Sequence, residues 1–222
     1  MNNKLIIFGN TEFAEIAYEY FTHDSDYEVV AFCVHREYIN KSEIFGIPLV
    51  AFEDIAELYA PSEHAFFGAC VYTKLNRLRT QVYLEAKALG YEIASYVSSY
   101  AFVWRNVKLG EHVFIFEDNT LQPFTEIGNN VVLWSGNHIG HHSKIDDNCF
   151  ISSHVVISGG VTVGKNCFLG VNSTVNNAVS IGDDCLLSSA ALVVKNIPED
   201  SIVKGKDISP ISCRAYHKLT PR

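Results

Sequence analysis

From Val97 onward every sixth residue of the chain is aliphatic. The series runs Val97, Val103, Leu109, Ile115, Leu121, Ile127, Leu133, Ile139, Ile145, Ile151, Ile157, Val163, Leu169, Val175, Ile181, Leu187, Val193, seventeen positions without a slip. The stretch holds 28 Ile, Leu and Val residues, so one phase of six would carry about five of them by chance. An α-helix repeats near 3.6 residues and a half-buried strand every two, so neither explains the period. A coil of short strands and tight corners does: each hexapeptide points its aliphatic residue inward, and three close one triangular turn. The sequence must then resemble itself every eighteen residues. It does: IGNNVVLWSGNHIGHHSK from Ile127, IDDNCFISSHVVISGGVT from Ile145, VGKNCFLGVNSTVNNAVS from Val163 and IGDDCLLSSAALVVKNIP from Ile181 align without a gap.

Other repeated residues take their meaning from this coil. Cys149, Cys167 and Cys185 stand two residues before an inward aliphatic, as Ala101, Thr125, Ser143 and Ser173 do, so they read as small hydrophobes stacked on one wall, not as metal ligands. None of the six cysteines, Cys33, Cys70 and Cys213 included, forms a CxxC pair, a usage that fits a reducing cytosol. Gly110, Gly128, Gly140, Gly164, Gly170 and Gly182 directly follow inward aliphatics, where tight corners favour a residue without a Cβ. The net charge of −8 argues against nucleic-acid binding through a general basic field and permits a local anion pocket. No stretch is long and apolar enough to cross a bilayer. The opening MNNKLIIFGN reads as a strand rather than a secretory signal, and a cytoplasmic protein is expected.

Residues 1–96 follow another rhythm. Lys4–Phe8 is an apolar strand, Gly9 and Asn10 mark a turn, and Thr11 is an N-cap for a helix burying Phe13, Ile16, Ala17 and Tyr20. Glu28–Val34 and residues 65–71 read as strands, and Leu75, Leu78, Val82, Ala86 and Leu89 recur at helical spacing until Gly90. Strands alternating with helices predict a small Rossmann-like parallel sheet over 1–96, ahead of the coil at 97–210 and a tail at 211–222. Such sheets bind ligands where strands end and helices begin. Tyr72, Thr73, Lys74, Asn76 and Arg77 stand there; Lys74 and Arg77 are candidates to hold a diphosphate at a helix N-terminus, the alternative being solvated charges.

Residues 97–210 resemble the hexapeptide-repeat acyltransferases, whose left-handed parallel β-helix pairs with others into trimers. Periodicity does not give the hand, since the general preference for right-handed crossovers predicts the opposite. With its front domain, the chain resembles the sialic-acid O-acetyltransferases and the N-acetyltransferases of nucleotide-linked amino sugars. That resemblance implies a substrate-binding turn after the first strand, here Gly9, Asn10 and Thr11. Only the first glycine of the family's turn is present. Glu12 and Phe13 replace a glycine and a frequent histidine, and Val34 and His35 replace an acidic pair after the second strand.

Four histidines, His138, His141, His142 and His154, crowd into seventeen residues. Acyl transfer from a thioester needs a base that titrates near neutrality, and imidazole is one. The resemblance points to His141, within Ile139-Gly140-His141-His142, as that base; the alternative is a turn histidine with no proton to move. His142, also a candidate catalytic residue, stands where the family often carries an orienting Glu, so Glu117, Asp118, Asp146 or a backbone carbonyl are the candidate orienting groups. Residues eighteen apart stack, which sets Gly159, Asn177 and Lys195 above His141. That edge suits an extended pantetheine arm, with Gly159 and Gly160 giving room and backbone donors, and Lys195, Lys204 and Lys206 meeting phosphates. His138 is a candidate acceptor contact. The expected function is acetyl-CoA-dependent N-acetylation of a UDP- or dTDP-linked amino sugar for bacterial surface glycans. The expected route is direct attack in a ternary complex, without a metal, at sites between the subunits of a homotrimer. The alternatives are O-acetylation of a sugar hydroxyl, a metal-dependent hydratase of the γ-class carbonic anhydrase type, and a non-catalytic binding subunit.

Overall fold

The structure is a computed structural model that describes residues 3–205; Lys206 and Cys213 lie outside the described residues. The front domain runs β1 (Lys4–Phe8), α1 (Glu12–His23), β2 (Glu28–Val34), β3 (Glu43–Ile44), β4 (Ile47–Ala51), α2 (Ile55–Leu58), β5 (His64–Gly68), α3 (Arg77–Ala88) and β6 (Glu92–Ile93). Its sheet has the order β3-β4-β2-β1-β5-β6 and is parallel except for the β3–β4 hairpin. The central strand β1 is apolar at successive positions because both faces are covered. Leu5 and Ile7 pack with Phe13, Ala17 and Phe21 of α1; Ile6 and Phe8 pack with Val82 and Ala86 of α3.

The predicted strands and the helix after Thr11 are present, but the third predicted strand ends at Gly68 rather than residue 71. The helix buries Phe13, Ala14, Ala17 and Phe21, while Ile16 and Tyr20 are half-buried. Two further differences stand out. The hairpin turns at Phe45 and Gly46, both at positive φ, in strands too short to show a sequence period. The second helix begins at Arg77 rather than Leu75, because Lys74, Leu75 and Asn76 all take left-handed backbone. Its buried stripe is Arg79, Val82, Tyr83 and Ala86, and Leu89 is exposed.

From Tyr96 onward two-residue strands pair in parallel at a spacing of eighteen. Phe114 pairs with Val132, Thr120 with His138, and Glu126 with Lys144. Three sheets of seven, six and five strands make the faces of a triangular prism. Every inward aliphatic from Ile115 to Val193 is at most 3% exposed, and burying each contributes roughly 1.5–3 kcal/mol. At the open first turn Val97 and Leu109 are partly exposed.

The corner glycines are needed for space, as a residue without a Cβ was expected there. Gly110, Gly128, Gly140, Gly164, Gly170 and Gly182 do not have positive φ. A Cβ on them would collide with the next turn of coil, at 2.5 Å from the Ser158 carbonyl carbon in the case of Gly140. Left-handed backbone instead recurs three residues after the inward aliphatic, at His112, Asn130, His142, Asn148, His154 and Asn166 among others. Asn and Asp tolerate that region better than most residues.

The three faces have different outer surfaces. On the first, Tyr96, Phe114, Val132 and Phe150 are buried under the front domain in one shared core with α1. The second presents Lys108, Glu126 and Lys144, with an ion pair of 2.6 Å between Lys108 and Glu126. The third presents Phe102, Thr120, His138, Val156, Thr174 and Leu192, with Phe102, Val156 and Leu192 exposed.

Candidate active site

The chain leaves β1 toward β2 on one side of the sheet and returns to β5 on the other, so the ends of β1 and β5 form the switch point at which open sheets bind ligands. A cleft of about 280 Å³ opens there, lined by Gly9, Asn10, Thr11, His35, Cys70 and Thr73 among others. Gly9 has φ +136°, and a Cβ on it would stand 3.0 Å from the Ala69 carbonyl oxygen, so this turn requires glycine. Asn10 Nδ2 donates to the Tyr38 carbonyl at 3.0 Å and ties the turn to the segment after β2. Thr11 caps α1 through its extended backbone, without a side-chain hydrogen bond. His35 Nδ1 lies 3.2 Å from Glu53 Oε1.

The polar residues predicted after β5 separate. Thr73 lines the cleft and Lys74 beside it is exposed. Asn76 is fully enclosed: its Nδ2 donates to the carbonyls of Asn166 at 3.3 Å and Cys167 at 3.1 Å. Its assignment to substrate is therefore corrected; this side chain fastens the front domain to the coil. Arg77 pairs with Asp184 of the coil, so its charge is directed to the same junction. Sequence reasoning missed two further residues of that junction, Arg79 and His112. Both are 1% exposed, and Arg79 was legible only as a charge three residues before Val82 on the buried stripe of α3.

The histidine cluster spreads over the third face and its two edges. His138 is half-buried on the outer surface of that face, between Thr120 and Val156. His154 lies at one edge, its ring so close to Gly136 that a Cβ there would stand 2.4 Å from Nδ1. His141 and His142 are exposed at the other edge, the corner opposite the face that the front domain covers. His141 N–H donates to Gln122 Oε1 at 2.9 Å, and the two imidazoles meet Nδ1 to Nδ1 at 3.1 Å. His142 stacks on Phe124 with centroids 4.6 Å apart. If Nδ1–H of His141 is the donor in the imidazole pair, Nε2 of His141 keeps its lone pair and can take a proton. Two of the carboxylates considered as orienting groups are engaged elsewhere: Glu117 accepts from Tyr20 at 2.6 Å and Asp146 pairs with Lys144 at 2.8 Å.

The stacking above His141 is as the period requires: Gly160 N–H donates to the His141 carbonyl at 2.8 Å, and Ala178 N–H to that of Gly159 at 3.0 Å. A Cβ on Gly159 would lie 2.7 Å from Nε2 of His141. The expected backbone donors are not available, because Gly159 N–H is held by Asn177 Oδ1 at 3.1 Å and Gly160 N–H by His141. The glycines supply room. Asn177, Lys195 and Lys204 are exposed.

Residues 124–159 match the model of the bacterial transferase hexapeptide, six repeats, and residues 160–190 that of the hexapeptide repeat of succinyl-transferase. The coil is thus similar to that of the hexapeptide-repeat transferases. It winds left-handed. Solved structures share the whole hexapeptide-repeat architecture together with the front domain. Perosamine N-acetyltransferase from Caulobacter crescentus, a histidine-to-asparagine mutant in complex with CoA and GDP-perosamine, has 22% identity and a TM-score of 0.81 over 91% of this chain and 93% of that one. The acetyltransferase domain of PglB from Neisseria gonorrhoeae has 18% identity and a TM-score of 0.83 over 95% and 100%. WeeI from Acinetobacter baumannii has 16% identity and a TM-score of 0.70 over 90% and 96%. No curated protein matches the sequence. Among the described residues, no helix is long and apolar enough to cross a membrane.

Proposed function

We propose that the protein transfers the acetyl group of acetyl-CoA to the amine of a nucleotide-linked amino sugar, with His141 as general base. The observation that carries this reading is the exposed imidazole of His141 over a glycine on a transferase coil, Nδ1 against His142 and Nε2 toward the space above Gly159. In the proposed reaction Nε2 removes a proton as the amine attacks the thioester carbonyl, and His142 accepts from Nδ1–H, which favours the imidazolium that forms. The coenzyme lies along the His141–Gly159–Asn177–Lys195 edge, with Lys195 and Lys204 toward its phosphates. The nucleotide lies in the cleft at Gly9, Asn10, Thr11 and Thr73, with Lys74 at its mouth.

Within one chain the cleft and the base lie on different sides of the prism. The front domain covers one face, and His141 marks the opposite corner. This supports a homotrimer whose third faces meet and whose neighbours bring cleft and base together. Phe102, Val156 and Leu192 on that face have the character of an interface.

The test is acetyl transfer from acetyl-CoA to a panel of UDP-, dTDP- and GDP-linked amino sugars, each beside its hydroxyl counterpart. Turnover of an amine by the wild type supports the reading. Turnover confined to hydroxyl acceptors, or no turnover while coenzyme still binds, overturns it. Val156→Lys is expected to give monomers by sedimentation and to lose turnover. A wild type that is monomeric and active would sink the shared site.

A further inference from the structure

We propose that Arg79 is a positioning residue for the acceptor cleft, fixing the segment between β5 and α3 on the coil as one wall of that cleft. The identity of the cleft's ligand rests on the acetyltransferase reading; the positioning role rests on the following geometry.

The segment contains three successive non-glycine residues in left-handed backbone, Lys74 at φ 52°, Leu75 at 51° and Asn76 at 67°. L-residues visit that region as single residues, so a run of three persists only where its surroundings over-determine it. Arg79 does so. Its guanidinium makes six hydrogen bonds, two of them to the segment: Nη1 donates to the Val71 carbonyl at 3.0 Å and to Asn76 Oδ1 at 3.2 Å. The other four go to two successive turns of coil, namely Asn130 Oδ1 at 3.0 Å and the carbonyls of Asn130 at 3.2 Å, Asn148 at 3.4 Å and Cys149 at 3.0 Å. None of these acceptors is a carboxylate, so carbonyl and amide dipoles, together with the Phe150 ring 5.8 Å from Cζ, meet a buried charge. Burial lowers its pKa to about 10, which leaves it a cation at neutral pH.

A planar fork reaching both sides at once is specific to arginine, because an ammonium has three donors at one point. Val71 and its neighbours Cys70 and Thr73 line the cleft, so a wall held by Arg79 keeps its shape before any ligand arrives. The coil itself is held by its own ladder and core, and the His141 corner lies on its far side. Loosening the segment therefore affects the cleft and spares the coenzyme edge.

Two full-length variants test this. Asn76→Gly keeps left-handed backbone accessible and removes the side-chain anchor; Arg79→Met removes the fork at similar length. Hydrogen exchange on the unliganded protein is expected to quicken at least tenfold across residues 69–78 in both, with coil amides unchanged. Calorimetry with UDP, GDP and dTDP is expected to show about a tenfold weaker affinity for whichever the wild type binds, with acetyl-CoA affinity within twofold. Exchange at the wild-type rate in this segment, or equal loss of affinity for nucleotide and acetyl-CoA, overturns the proposal. If Arg79→Met does not fold, Asn76→Gly decides alone. A wild type that binds none of the three nucleotides overturns the acceptor reading above, and quickened exchange confined to 69–78 then still supports the positioning role.

Discussion

His112 and His142 occupy the same place in their hexapeptides, three residues after an inward aliphatic, and both take left-handed backbone. Their surroundings differ. His112 lies under the front domain: Gly68 N–H donates to its Nε2 at 2.9 Å, so Nδ1 carries the proton and donates to Asn130 Oδ1 at 2.9 Å. Tyr83 stacks on its ring with planes 9° apart. Burial pushes its pKa down to about 3, against the Asn130 bond and with the Arg79 charge adding to the effect. His142 is exposed on the opposite side with His141 as its partner. One repeat position thus holds a neutral structural pin where a domain covers it and an exposed imidazole paired with His141 where none does.

The largest expected effect comes from the open corner. His141→Asn should lower kcat/KM for acetyl transfer by roughly 10²–10⁴-fold with an unchanged circular dichroism spectrum, since the side chain is exposed. Retained turnover would erase the contrast between the two corners. Next is Gly159→Ala, whose Cβ would meet the imidazole at 2.7 Å. A displacement on the order of 1 Å is expected to cost about 10²-fold in kcat, with a melting temperature close to that of the wild type.

The covered corner should show the reverse pattern. His112→Ala leaves the Gly68 N–H without its acceptor and opens a void, at a cost of about 3 kcal/mol by denaturant titration, while coenzyme affinity is unchanged. The smallest effect per step of the measurement is in the pH profile. Because the folded-state pKa lies below the unfolded value near 6.5, the unfolded chain binds the extra proton between those values. The stability His112 contributes is therefore complete above about pH 6.5 and is lost as pH falls toward 3, with a slope of at most about 1.4 kcal/mol per pH unit. His112→Gln should flatten that slope; an identical profile would show that His112 is not the group responsible.

Much of this was legible in residue order. The inward series located every coil strand from Val97 to Val193, because a two-residue strand and a four-residue corner leave only one position per hexapeptide that must be aliphatic. Thr73 was legible as standing where a strand ends and a helix begins, the place at which parallel sheets bind ligands, and Gly9 was marked by the family resemblance; that the two line one cleft came from the structure. Asn76 was not. Its place after a strand and before a helix is the same for a ligand contact and for an anchor, and only the coil carbonyls at 3.1 and 3.3 Å separate the two. Arg79 was hidden for a related reason: an arginine on a buried helical stripe has meaning only when its six acceptors are in view. The glycines of the coil were recognised as positions that exclude a Cβ, while what the Cβ would strike, the backbone or side chain of the next turn, depends on the stacking distance.

The amino-acid sequence by itself determined the prism, because an aliphatic residue at every sixth position has no other way to leave water. It also placed two kinds of domain in order along the chain. The tertiary structure decided which corner is covered and which is open, and therefore which histidine is held neutral and which stands at the surface. That difference comes from desolvation and hydrogen-bond partners contributed by residues far away in the chain, which a local repeat does not encode.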